Sequence, residues 1–258
     1  LETKGASSGG HTLIILDASG SMNAKMGDAS KFDVARDVVR DVIEKMPDGL
    51  QVGLRVYGHR KMSLDEDADA DSELLIPFGP LDKSKFLATL KGLKCRGKTP
   101  ITFSLQQSVE DLASVDEKIE LAVILLTDGE ESTPGADPVA AAAKLIESRK
   151  GLKLHVVGFD IDEQGRKSLE KIAQSGKGEY FHATKPDELM KSLSLAVGGA
   201  ADYALLKDGK EVLRGRLGDR HELPEGKYAF RIGKEETTVW INTDVTTTVS
   251  VNISKLGK

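Results

Sequence analysis

Short runs of aliphatic residues alternate through most of the chain with longer stretches whose apolar positions recur every three or four residues. The runs predict strands at His11–Leu16, Gln51–Tyr57, Glu73–Phe78, Leu121–Thr127, Leu154–Phe159 and Glu179–His182. The longer periods predict helices at Phe32–Met46, Lys83–Lys91, Ile101–Ala113, Pro138–Lys150, Gln164–Ser175 and Pro186–Val197. Two of the strands, LAVILLT and LHVVGF, lack polar alternation, the pattern of a strand covered by helices on both faces. The whole predicts an α/β fold, a doubly wound and mostly parallel sheet. Ligands of such sheets sit beyond the carboxyl ends of the strands.

After Gly198-Gly199 the period shortens to two. Strands are predicted at Asp202–Lys207, Lys210–Gly215, Lys227–Ile232, Thr237–Ile241 and Thr247–Ile253. Asp208-Gly209, Gly218-Asp219 and Pro224-Glu225-Gly226 supply turns between them. Three units follow: a flexible lead-in over 1–10 (LETKGASSGG), the α/β domain over 11–198, and a small antiparallel β-sandwich-like domain over 201–258.

Composition narrows the partners. The 258 residues are 39% hydrophobic and 30% charged, ordinary for a protein with a sizeable core, and the net charge is -5. Without a Lys/Arg stripe, nucleic acid and anionic membranes are poor partners. The longest apolar run, Leu121–Leu126, falls far short of the roughly 18–20 residues of a membrane span. One cysteine, Cys95, excludes an internal disulfide framework and a Cys-based zinc site, and is expected to be a partly buried thiol. The chain opens at Leu1, so a cleaved signal peptide or anchor is compatible with it. The linker-like start and the β appendage point to an extracytoplasmic location: periplasmic, secreted or cell-surface.

Three pieces fall in loops at the predicted carboxyl rim. Asp17-Ala18-Ser19-Gly20-Ser21 follows the first strand, Thr99 precedes the helix at Ile101, and Asp128-Gly129 follows LAVILLT. Hydroxyl and carboxylate oxygens suit a hard cation, Mg²⁺ or Mn²⁺ before Zn²⁺, with Ca²⁺ also accommodated. Ser19, Ser21 and Thr99 offer neutral oxygens; Asp17 and Asp128 offer charge, directly or through water. A shell dominated by hydroxyls leaves the ion under-compensated and attractive to an outside carboxylate.

In this pattern the chain resembles the von Willebrand factor type A family, shared with integrin inserted domains. That family's metal-ion-dependent adhesion site reads D-x-S-x-S, then a threonine, then an aspartate followed by glycine. Asp17, Ser19, Ser21, Thr99 and Asp128 match in order, within a resemblance covering residues 11–198. It implies a Rossmann-like sheet carrying one Mg²⁺ or Mn²⁺, and a non-enzymatic module for a protein ligand whose Asp or Glu side chain completes the coordination. It also implies coupling between the site and the last helix, Pro186–Val197. Met22, Gly129 and Glu130 are expected to shape partner choice from the rim. LPEGKYAFRI resembles small extracytoplasmic β domains of the PEGA or carboxypeptidase-regulatory type.

Other signals compete. Gly92-Leu93-Lys94-Cys95-Arg96-Gly97-Lys98-Thr99 satisfies a Walker A pattern, and AVILLTD resembles a Walker B strand, so a nucleotide hydrolase using Gly92–Thr99 and Asp128 is the alternative. Against it, KSKFLATLK has helical spacing where a strand is required, and Pro100 opposes an already running helix. A passive structural spacer is a further alternative. Ser104 and the histidines form no nucleophile motif, and His59, His155 and His182 are expected to be scaffold residues. The acidic stretch Asp65–Glu73 lacks the glycine and terminal glutamate of a calcium loop, and a solvated loop is expected.

Overall fold

Six all-buried residues, Thr12–Asp17, form strand β1 and set the centre of the α/β domain. Their side chains point alternately to two faces. Leu13 and Ile15 enter one apolar cluster, Ile14 and Leu16 another, so helices must cover both. The computed structural model describes residues 11–46, 49–198, 202–216, 221–232 and 235–242.

After β1 come a 3-10 turn at Gly20–Asn23 and a hairpin of β2 (Lys25–Met26) and β3 (Ala29–Ser30), none of which the apolar pattern signalled. Helix α1 (Lys31–Lys45) starts at a capping box: Asp33 N–H donates to Ser30 Oγ, while the Asp33 carboxylate accepts from Ser30. The chain continues through β4 (Gln51–Tyr57), β5 (Ser72–Pro80), α2 (Lys83–Gly92), α3 (Ile101–Leu112), β6 (Ala122–Thr127), α4 (Pro138–Glu147), β7 (Lys153–Phe159), α5 (Glu163–Ser175), β8 (Lys177–Ala183) and α6 (Pro186–Gly198).

These strands make a six-stranded sheet in the order β5-β4-β1-β6-β7-β8. All neighbours are parallel except β4 and β5. Residues of α1, α2 and α6 pack with Ile14 and Leu16; residues of α3, α4 and α5 pack with Leu13 and Ile15. From β1 the chain first builds outward through β4 and β5, then crosses to β6 on the other side. That reversal is a topological switch point, and it opens a crevice at the carboxyl ends of β1 and β6.

The predicted Pro138–Lys150 helix stops at Glu147. Arg149 turns inward instead, donating to the carbonyls of Val115, Asp116 and Ile119 and so fastening the loop before β6. Another buried arginine, Arg55 on β4, grips Asp111 of α3 with two hydrogen bonds of 2.7 and 2.8 Å. Ser104, on the same helix, donates to the Pro100 carbonyl and lies 2.9 Å from Ser72 Oγ, a structural role.

Beyond α6, strands β9 (Asp202–Lys207), β10 (Lys210–Arg216), β11 (Gly226–Ile232) and β12 (Glu235–Ile241) form one antiparallel sheet ordered β10-β9-β11-β12. Tyr203, Leu205, Tyr228, Phe230 and Val239 make its own buried cluster. The predicted strand at Thr247–Ile253 and the lead-in over 1–10 lie outside the described residues.

Candidate metal centre

Asp17 ends β1, Thr127 ends β6 and Asp128 directly follows it, so both carboxylates stand at the switch-point crevice. Asp17 is fully buried and its oxygens are taken: Oδ1 accepts the Ser19 N–H at 2.7 Å, while Oδ2 lies 2.9 Å from the Tyr57 hydroxyl and 2.7 Å from Thr127 Oγ1. Burial, reinforced by the charge of Asp128, pushes its pKa up to about 6 against the pull of the Ser19 and Thr127 hydrogen bonds. Burial and Asp17 hold the Tyr57 phenol well above its usual range, so it remains a donor.

The hydroxyls form a relay. Ser21 Oγ donates to Asp128 Oδ1 at 2.6 Å and lies 3.0 Å from Ser19 Oγ. A serine hydroxyl has one proton, so with Ser21 committed to Asp128 the proton between the two serines comes from Ser19. Thr99 stands beside them: a Cβ built on Gly129 would lie 3.8 Å from Thr99 Oγ1 and 3.9 Å from Ser21 Oγ. Gly129 thus leaves open the space that both hydroxyls border. The structure therefore gathers all five expected residues at one rim.

Why Thr99 arrives there is a matter of close backbone approach. Gly97 O accepts from Gly20 N–H at 2.8 Å, and Arg96 N–H donates to the carbonyls of Ala18 and Gly58. Gly58 has φ 70, and a Cβ on it would stand 2.6 Å from Lys98 O and 2.8 Å from Ser19 Cα. Ser132 closes the other side: its Oγ accepts Thr99 N–H at 2.8 Å and its own N–H donates to Thr99 O. Glu131 then holds the amino end of α3 by accepting from Thr102 N–H at 2.6 Å. The Walker-like stretch follows helix α2 instead of a strand, and Lys98 is paired with Asp69 at 2.8 Å. Its glycine at 97 serves chain packing, since a Cβ there would stand 2.5 Å from Lys61 O.

Asp128 Oδ2 is buried and accepts no hydrogen bond, although Lys31 Nζ stands 3.2 Å away as an ion pair. Asp128 Oδ1 at Ser21, with the Ser19 and Thr99 hydroxyls beside it, forms an oxygen set that fits a hard cation's needs. Among the described residues no three His, Cys, Asp or Glu side chains cluster as a metal site, so any ion here depends on the hydroxyls.

Some rim expectations change. Met22 is fully buried in the core under the 3-10 turn and is out of a partner's reach. The acidic stretch is largely neutralised internally: Asp71 accepts from Arg60 and Lys61, and Asp67 and Asp69 pair with lysines. Burial first, then the charges of Asp17 and Asp128, pushes the Cys95 thiol up to about 12, which leaves it protonated and unreactive. Tyr57, Thr127, Ser132 and Lys31 carried no sequence signal. The roles of Tyr57 and Thr127 depend on strand register, as when Tyr57 pairs directly with Asp17.

Comparison with known proteins agrees with this fold. YwmD of Bacillus subtilis (strain 168), an uncharacterized protein, is 34% identical over 181 residues, covering 69% of this chain and 80% of the relative. The crystal structure of the conserved hypothetical protein BatB from Bacteroides thetaiotaomicron superposes with TM-score 0.60 at 21% identity, over 74% of this chain and 98% of that one. The open conformation of the pilus adhesin SpaC from Lactobacillus rhamnosus GG superposes with TM-score 0.59 at 15% identity, over 76% of this chain and 31% of that one. Among the described residues no helix is long and apolar enough to cross a membrane. Residues 13–194 match the von Willebrand factor type A domain, and the chain belongs to that family.

Proposed function

We propose that this chain is a metal-dependent protein-binding module whose cation is completed by an Asp or Glu side chain of a protein partner. Asp17, Ser19, Ser21, Thr99 and Asp128 would hold Mg²⁺ or Mn²⁺. The observation that carries the reading is the Ser19–Ser21–Asp128 relay converging with Thr99 on the space that Gly129 leaves open. When bound, a divalent cation supplies Lewis-acid attraction for an incoming anionic oxygen. Asp17 braces the loop from below by accepting the Ser19 N–H, while Ser132 fixes Thr99 from the side. Binding to proteins is the common role of the family, and one structural neighbour is a pilus adhesin. An extracytoplasmic location belongs to the same proposal.

Calorimetric titration of Mg²⁺ and Mn²⁺ into chelator-stripped protein tests it. We expect a single saturable site in the wild type and none in Asp17→Asn with the fold intact. Identical heats from the two proteins would overturn the reading.

A further inference from the structure

Lys31 is the first residue of α1, and its side chain is mostly buried against the crevice. Its ammonium lies 3.2 Å from Asp128 Oδ2, 3.0 Å from Asp160 Oδ2 and 3.2 Å from the Asp160 carbonyl. Asp160 is itself held firmly: it follows β7 with φ 51, and its N–H donates to Ala183 O at 2.7 Å. The two oxygens of Asp128 therefore have different neighbours. Oδ1 faces the hydroxyl relay through Ser21, and Oδ2 faces a fixed cation.

We propose that Lys31 is a built-in counter-cation that sets the affinity and the residual charge of the metal site. The inference rests on the metal-binding reading above. Asp17, Asp128 and Asp160 bring three negative charges, and Lys31 offsets one, divided between Asp128 and Asp160. A divalent ion held by Asp17 and Asp128 is therefore compensated less than their two charges alone would provide, which favours an anionic guest over water. The same ammonium repels the metal, so the site trades intrinsic affinity for attraction toward a carboxylate. Unit charges a few ångströms apart in a part-buried setting interact strongly enough to shift affinity by a decade or more. Asp160 is the positioning residue: it divides the ammonium between itself and Asp128.

The test is calorimetry with Mg²⁺, and separately Mn²⁺, on chelator-stripped wild type, Lys31→Met, Lys31→Arg and Asp160→Asn, with folding checked by circular dichroism. Lys31→Met should bind Mg²⁺ roughly tenfold more tightly or better, and Lys31→Arg within about threefold of wild type. Asp160→Asn, tolerated at positive φ, leaves Lys31 wholly to Asp128 and should weaken Mg²⁺ several-fold. Should Lys31→Met fail to fold, Asp160→Asn carries the test alone. Saturable binding by the wild type with no tightening in folded Lys31→Met, or no weakening in Asp160→Asn, overturns the role of Lys31 and leaves the metal site standing. No heat from any of the proteins overturns both. Binding by Lys31→Met where the wild type is silent supports it.

Discussion

Asp17 is a carboxylate placed where its charge is costly. Its pKa is about 6 against an ordinary 3.8, so the metal-free protein loses stability as pH rises from about 4 through about 6. Asp17→Asn keeps the shape and removes the charge. It should stabilise the metal-free protein at pH 7–8 by on the order of 1–3 kcal/mol in urea unfolding, while abolishing Mg²⁺ binding. A loss of stability would show that the hydrogen bonds around Asp17 outweigh its desolvation. His155 has the opposite sign. Burial, then nearby Lys153, holds its pKa at about 4 against 6.5, and its Nδ1 accepts from Glu179 N–H. The stability it contributes is present above pH 6.5 and is lost as pH falls through about 4. His155→Gln, which retains an acceptor, should flatten the acid limb of a stability–pH curve over that window.

Each element at the crevice is held by polar contacts the hydrophobic pattern does not report. Ser132→Ala deprives the buried Thr99 N–H of its acceptor, and we expect Mg²⁺ affinity to fall about 3–10-fold with the global fold retained. Asp111→Ala strands buried Arg55 and should cost about 3–5 kcal/mol, whereas Arg55→Met with Asp111→Leu should recover most of it in denaturant unfolding. Strand and helix identities were legible because apolar runs and 3.6-residue periods are set by burial alone, as LAVILLT shows. The five oxygen-bearing residues were legible from order and residue type. The direction of β5 was not, since a short apolar run reads alike parallel or antiparallel. Nor were Tyr57 and Thr127, which become partners of Asp17 only once β1 is registered against β4 and β6. Lys31 carries no sequence signal, because its role depends on Asp160, which the loop after β7 brings to it.

At the scale of the molecule, the cores of the α/β domain and of the C-terminal sheet share no residue among those described. A chain ending at residue 198 should therefore unfold in one cooperative transition with unchanged Mg²⁺ affinity, checked by calorimetric scanning and titration. The strand order carries a consequence for synthesis. Thr127 lies 110 positions beyond Asp17 in the chain, and the central strand is flanked by one neighbour made soon after it and another made much later. A ribosome that has delivered only the first half-dozen elements has not yet made Thr99 or Asp128, two of the five proposed ligands. On the proposed metal reading, loading waits for the late-made strand to close the gap.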